Sequence, residues 1–481
     1  DEGDYTFSIF CDDSSESGEF IMLDEFKKQT NVDVDLKIYP YETATERLNL
    51  DLNSGDYADV IGGWTLSDNA ILTYGVNQGV FIPLEDYFEK YCPNISAILD
   101  LPGVREKMTA PDGHIYTIPY VCGDTTVGYS PYINTKWLEN VGMSMPTTTD
   151  EFEAVLKAFK EQDANGNGDA SDEIPFSTDP NNKHIEAMAG YFGLPMNKLG
   201  IAIQDEKVVY GGVSNTYREF LSWFHKLYAD GLVDVELYTQ DSSTWEGKGN
   251  QDLYGVSIAY GSNEFTGIPA AEERGDFDSM PVLNTDKGGI WLRDTEGFSV
   301  YRTQAVITNK AEHPEIICRW FDNAFALENG IGCNRGPVGV IVNKEDDGYH
   351  AIDTTTLSEE DQEKYSWSNL WPQSLPKYLP ADFEFVEEHP MYDEKKATEE
   401  AYEANLTKEI IPSYWIDLDK IDTFSDTNTA IKDFFEQQQA QFVCGELDID
   451  NDADWQAYVD GMYSLGLEDW VATQGIEEIA K

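Results

Sequence analysis

The chain has 481 residues, 90 acidic and 32 basic side chains and a formal charge of −58, so it is long enough for two or three domains and too acidic to approach nucleic acid. No run of about 18 or more apolar residues occurs, which excludes a membrane-spanning helix. The acids are spread along the chain, as a solubilising surface requires. Aromatics make up 13%, with 27 Tyr, 23 Phe and 11 Trp, and suit both cores and carbohydrate surfaces. The opening Asp1-Glu2-Gly3-Asp4 is neither a signal peptide nor an initiator Met, and reads as the start of a mature or trimmed chain.

In chain order, Tyr5 to Phe10 reads as a strand. A helix is predicted from about Gly18 to Gln29, with Phe20, Leu23 and Phe26 at helical spacing. Val32, Val34, Leu36 and Ile38 alternate with polar residues, as a strand does. A second helix covers about Ala44 to Asn53 and ends at Gly55, and Asp59 to Trp64 supplies a short strand. This β-α-β-α-β order gives an α/β fold class. Two segments read as crossings between lobes: Ile115 to Tyr120 leading into Thr126 to Ser130, and the stretch near Gly297 to Val300. Helices are expected over Thr149 to Lys160 and Asn215 to Asp230, and a strand over Tyr254 to Tyr260. His313-Pro314 starts a helix, Pro suiting the first turn, with Ile317, Trp320, Phe321, Ala324 and Phe325 as its core face.

The cysteines Cys11, Cys92, Cys122, Cys318, Cys333 and Cys444 show no C-x-x-C pair and no zinc spacing. They read as buried free thiols, with one or two disulfides open to an exported chain. No histidine sits in a partner motif for a catalytic cysteine.

Several segments together resemble the extracellular solute-binding proteins of carbohydrate ABC importers, and among these the larger lipoprotein-type members that include the alginate-binding proteins. They are Asp59-Val60-Ile61-Gly62-Gly63-Trp64, Gly79 to Glu85, Gly113 to Tyr120, Tyr132 to Leu138, Pro146 to Phe152, and Asn309-Lys310 through His313-Pro314-Glu315. Their order over roughly residues 5 to 335 carries the likeness, and the last 140 or so residues match less clearly. The resemblance implies a periplasmic-binding-protein-like fold of two discontinuous α/β lobes, joined by a hinge with a ligand cleft between them. Residues 1–122 and 297–342 are expected in one lobe, and 123–296 and 343–481, the last segment helical, in the other. It further implies an oligosaccharide ligand, delivery to the permease subunits of an ABC importer, and an extracellular cell-surface lipoprotein (or periplasmic protein). Its membrane contact would be only through a lipid anchor upstream of this chain. A monomer is expected.

The sharpest local motif is Asp163-Ala164-Asn165-Gly166-Asn167-Gly168-Asp169-Ala170-Ser171-Asp172-Glu173-Ile174-Pro175. It follows the EF-hand loop, with side-chain oxygens at positions 1, 3 and 5 and glycine at 6. Asp163, Asn165 and Asn167 are expected to offer side-chain oxygens to Ca2+, Asp169 its backbone carbonyl, and Asp172 and Glu173 to close the site. Position 12, where an EF-hand carries a bidentate Glu, is Ile174, so the loop is shortened. The alginate-binding relatives carry a similar shortened loop, which implies a structural calcium away from the sugar.

Sugar sites combine aromatic faces with polar groups, just past the ends of strands. The candidates are Asp12, Trp64, Asp124, Tyr129, Trp245, Tyr260, Glu264, Trp291, Arg293 and Trp371. Each aromatic serves either a sugar or a core, each carboxylate either a ligand or solvent, and Arg293 either a clamp or an ion pair. No G-x-S-x-G, H-E-x-x-H, P-loop or G-x-G-x-x-G motif appears. The expected function is a binding protein with no catalytic residues. A non-sugar solute (peptide or polyamine) and a secreted glycoside hydrolase are the alternatives.

Overall fold

Tyr5–Asp12 is buried along most of its length because it is an interior strand of a five-stranded sheet. The computed structural model describes residues 5–13, 19–180, 184–267, 275–386 and 390–480. Asp1 to Asp4 and the expected helix start at Gly18 lie outside the described residues. Tyr5–Asp12 pairs in parallel with Val32–Tyr39 and with Val60–Gly62, Ile9 standing opposite both Leu36 and Val60. The helices Ile21–Thr30 and Tyr41–Ser54 make the crossovers that parallel strands need, and left-handed Asn31 and Gly55 end them. Phe298–Ile307 then runs antiparallel between Val60–Gly62 and Thr117–Gly123.

The chain divides into two compact units. The first is Asp1–Asp124, Gly297–Glu387 and Ser413–Ile421, and the second is Thr125–Glu296, Glu388–Pro412 and Asp422–Lys481. The segment 343–481, expected whole in the second lobe, is therefore divided, with 343–387 in the first unit. The reason is packing: Trp371 stacks on Trp320 at 5.7 Å and lies 5.2 Å from Phe26, and Tyr378 bridges Val121. Pro314–Asp322 buries the expected face Ile317, Trp320 and Phe321 in this same core.

A register shift between Tyr301 and Ala305 bulges the Phe298–Ile307 strand. Arg302 lies in that bulge, nearly buried. Its Nε donates to Asp68 Oδ1 at 2.8 Å, its Nη2 to the Tyr414 carbonyl at 2.8 Å, and its guanidinium lies 4.2 Å from the Trp415 ring. These contacts tie Ser413–Ile421 to the first unit.

The second unit has a four-stranded sheet in the order Phe277–Ser279, Ser130–Asn134, Tyr254–Ala259, Ile174–Thr178. Tyr254–Ala259 is buried at every position, antiparallel to Ser130–Asn134 and parallel to Ile174–Thr178. Thr149–Glu161 packs Phe152, Val155, Leu156 and Phe159 inward. Thr148 Oγ1 accepts the Glu151 N–H at 3.2 Å, and Glu151 reaches back to the Thr147 N–H at 2.8 Å. Thr148→Ala is expected to cost about 1 kcal/mol, read as a lower urea midpoint at unchanged m. The C-terminal helices bring Phe435, Tyr458 and Trp470 to a core that also holds Phe152, Phe176, Phe220 and Trp291. The cysteines are free thiols, five buried and Cys444 exposed. No described helix is long and apolar enough to cross a membrane.

Candidate functional site

Two glycines decide where Trp64 goes. Gly63 has φ +137°, and a Cβ on it would lie 2.4 Å from Asp12 Oδ1, while one on Gly62 would meet Leu375. Asp12 is fully buried. Its Oδ1 accepts the Trp64 N–H at 2.9 Å and its Oδ2 the Thr65 N–H at 2.6 Å. Asp12 therefore holds the loop that presents Trp64. The Trp64 ring is 44% exposed and meets Tyr301 edge-on at 5.4 Å. Tyr301 stacks on Tyr120 at 5.4 Å and donates its hydroxyl to Asp124 Oδ2 at 2.9 Å. Behind Tyr120, the buried Lys377 ammonium lies 4.8 Å from the ring centroid, and burial pulls its pKa down to about 8. This ladder of rings belongs to the first unit.

A second aromatic group lies in the second unit, past the end of Tyr254–Ala259. Tyr260 is 37% exposed and meets Tyr129 edge-on at 6.1 Å. Tyr129 stacks on His184 at 4.1 Å, and burial holds that imidazole down at about 4, so it is neutral at pH 7. Glu264 Oε2 accepts the Tyr260 N–H at 2.9 Å. Burial, with Asp179 and Glu246 adding repulsion, pushes the Glu264 carboxyl up to about 7, against the lowering effects of the Tyr260 N–H and Lys395. The Lys395 ammonium lies 3.7 Å from the Tyr260 centroid and donates to the Gly128 carbonyl at 3.1 Å.

The acidic loop runs from the end of Thr149–Glu161 to the start of Ile174–Thr178. Its oxygens turn inward on its own amides: Asp163 Oδ2 accepts from Gly168 N, Asn165 Oδ1 from Asn167 N, and Asn167 Oδ1 from Asp169 N. Glu173 Oε1 accepts the Ala164 N–H at 2.8 Å. The other oxygens of the two end residues, Asp163 Oδ1 and Glu173 Oε2, are buried with no hydrogen-bond partner. The two orphaned carboxylate oxygens are of the hard donor type that suits a hard cation, while Asp172 accepts from the Asn165 and Asn167 amides. Left-handed Gly166 and Gly168 make the turn of the loop.

Residues 14–330 match the profile of the bacterial extracellular solute-binding proteins. The chain belongs to this family. The fructooligosaccharide ABC transporter substrate-binding protein FusA of Streptococcus pneumoniae is 34% identical over 332 residues, 67% of this chain and 60% of that protein. The chain thus matches by sequence somewhat less than two thirds of that relative. A solved FusA EF-hand mutant in complex with fructo-nystose superposes with a TM-score of 0.83 at 26% identity, covering 98% of both chains. The alginate-binding protein AlgQ2, solved without calcium ion, shares the fold with a TM-score of 0.80 at 22% identity, over 99% of this chain and 98% of that one.

In this solute-binding protein only some of the expected ligand residues sit together. Trp64 and Asp124 join the first ring group, and Tyr129, Tyr260 and Glu264 make the second. Trp245 is buried against Phe265 and donates to Ser257 Oγ at 3.2 Å. Trp291 is packed between Tyr191 and Tyr402. Trp371 is 0% exposed in the Trp320 core. Arg293 pairs with Glu403 at 3.1 Å and donates to the Thr407 carbonyl. These three tryptophans and Arg293 are taken up by packing and pairing. Sequence reasoning missed Tyr301, Tyr120, His184 and Lys395. No local signal marks Tyr301 and Tyr120; the antiparallel register that sets them opposite each other exists only in the folded sheet. It also missed Glu345, Asp347 and His350, whose ligand atoms lie within 4.8 Å of one another on the Val342–Glu345/Gly348–Ala351 hairpin. The 2.9 Å pair of His350 Nε2 with Asp347 accounts for part of that approach.

Proposed function

We propose that this chain is the extracellular substrate-binding component of an ABC importer, which captures an oligosaccharide and hands it to the permease. The observation that carries this reading is the 34% identity to a fructooligosaccharide-binding relative over 332 residues. The exposed rings support it: the Trp64 and Tyr260 faces suit the C–H surfaces of sugar rings, and Asp124 and Glu264 stand beside them as hydroxyl acceptors. Binding works by population shift, so it needs neither a nucleophile nor a tuned acid–base pair, and no turnover is expected. We also assign a structural Ca2+ to the loop of Asp163, Asn165, Asn167, Asp169, Asp172 and Glu173. Its support is the two orphaned oxygens and the EF-hand of the FusA relative. A lipid-anchored, extracellular monomer completes the proposal.

One observation favours a second reading, a cationic solute such as a polyamine: the exposed Tyr260 ring stands beside Glu264, with Asp179 and Glu246 near enough to repel that carboxylate. Calorimetric titration with kestose and other neutral oligosaccharides, and with spermidine, tests both. Saturable sugar binding without product is the expected result. Spermidine binding with no sugar binding would replace the sugar reading by the cationic one.

A further inference from the structure

The aromatic group of the second unit carries a pronounced charge imbalance. Glu264 caps the Tyr260 N–H at 2.9 Å, and Asp179 and Glu246 repel it from neighbouring segments. Glu394 Oε1 accepts the Ser262 N–H and its Oε2 the Ser262 hydroxyl, directly beside the Tyr260–Glu264 turn. Glu399 Oε1 accepts the Thr126 N–H at 2.6 Å, on the segment that leads into Tyr129. Among the described residues the cations on and beside these elements are Lys395, held by the Gly128 carbonyl and the Tyr260 ring, the exposed Lys396 that follows it, and Lys198, which with burial keeps His184 neutral, so the five carboxylates outnumber them. Lys395 and His184 each take up one ring contact, and the 37% of Tyr260 that stays exposed accepts sugar C–H surfaces of any kind, so charge distinguishes one sugar from another here.

We propose that the Tyr129–Tyr260 platform selects uncharged glycans and rejects glycans bearing uronic acids, and that Glu264 is the residue through which this preference is set. The inference rests on the oligosaccharide reading given above and deepens it. A carboxylate accepts hydrogen bonds from vicinal sugar hydroxyls, and these are stronger than neutral ones. A uronate brings a carboxylate into the same low-dielectric surroundings as Glu264, Asp179 and Glu246, where like charges repel. Lys395 does not reverse this, since its single ammonium, acting on Glu264, offsets no more than one of the five carboxylates. Glu264 is the member nearest Tyr260 that changes charge near neutral pH. Above about 7 it is ionised, accepts hydroxyls and repels uronates, and below that it holds a proton and does neither as well. The same proton sets a stability signature. Between the ordinary carboxylate value and about 7 the folded chain keeps a proton that the unfolded chain has released, so Glu264's contribution to stability falls as pH rises through that window.

The test is calorimetric titration of the whole chain at pH 8 and pH 5.5. The probes are neutral fructo-, malto-, xylo- and galacto-oligosaccharides on one side and trigalacturonate and trimannuronate on the other, with wild type and Glu264→Gln. The expected result is that a neutral oligosaccharide binds at pH 8 at least 100-fold more tightly than either uronate. That ratio narrows about tenfold at pH 5.5, and Glu264→Gln makes it independent of pH. Glu264→Gln is also expected to raise the melting temperature at pH 8 and to leave it unchanged near pH 4.5, which shows that the variant folds. A uronate bound within threefold of the best neutral sugar at pH 8, or a Glu264→Gln pH profile equal to that of wild type, overturns the inference while the oligosaccharide reading stands. Binding of neither sugar class overturns the oligosaccharide reading itself, and this inference with it.

Discussion

Trp64→Ala is expected to weaken oligosaccharide binding about 100-fold, or about 2.7 kcal/mol, the size of a ligand-contacting aromatic hot spot. The fold should tolerate the change. The ring is 44% exposed, its noted ring partner is the edge of Tyr301, and Asp12 grips its backbone N–H, which alanine keeps. The melting temperature should therefore move by no more than about 2 °C, as for surface substitutions within about 0.5 kcal/mol. Trp371→Ala should do the reverse. Trp371 is fully buried against Trp320 and Phe26, and its truncation should cost about 3–5 kcal/mol of stability while affinity, measured on the folded fraction, is retained. Calorimetric titration and thermal unfolding of both variants separate the two roles. Unchanged affinity in Trp64→Ala would remove it from the binding surface.

The contrast between these two tryptophans also shows what the sequence could and could not reveal. Elements set by local rules were legible. The alternation from Val32 to Ile38 became the strand Val32–Tyr39, Pro314 opened its helix, and Gly55 ended Tyr41–Ser54. Trp64 was legible too, because a strand followed by two glycines leaves a ring little to pack against on its own backbone. Trp371 was not. Its surroundings, Trp367-Ser368-Asn369-Leu370 and Pro372-Gln373-Ser374, read as an exposed loop. The loop is irregular but buried: Ser374 is enclosed and Gln373 donates its N–H to Asp13. What buries it is a set of partners distant in sequence, Trp320 about 50 residues away and Phe26 and Asp13 more than 300, which local periodicity does not encode. Tyr301 and Tyr120 were missed for a related reason. Each is unremarkable in its own strand, and only the bulged register of Phe298–Ile307 on Thr117–Gly123 makes them a stacked pair. The acidic loop lies at the other extreme: the residues proposed to hold the cation all fall within eleven consecutive positions, Asp163 to Glu173, so the proposal needs no long-range contact to be made.

Removing calcium is expected to lower the melting temperature by about 8–16 °C. The figure follows from two steps. A native-state ligand at 1,000 times its dissociation constant stabilises by about 4 kcal/mol. Each kcal/mol moves the midpoint by about 2–4 °C in a unit of some 150–250 residues. Asp163→Asn gives a sharper result because its sign depends on the cation. Without calcium, Asp163 Oδ1 and Glu173 Oε2 are buried carboxylate oxygens with no partner, and burial already pushes the Glu173 carboxyl up. Neutralising Asp163 then removes a cost, and in chelator the variant should be at least as stable as wild type. With calcium, the same change deletes a charged ligand and should be destabilising. Ile174 at the twelfth position is no substitute, because its side chain carries no oxygen and it already begins the strand paired with Tyr254. In the proposed site Glu173 would close the loop in its place, and Glu173→Gln should show the same change of sign. Thermal unfolding of wild type and both variants, each with excess Ca2+ and with chelator, gives the six midpoints needed. Midpoints in wild type that do not respond to chelator, or variants that shift the same way under both conditions, would show that the loop is an asparagine- and glycine-rich turn holding no cation. Magnesium in place of calcium should recover little of the loss, since a loop of flexible carbonyl and amide oxygens matches the larger, less geometrically demanding ion.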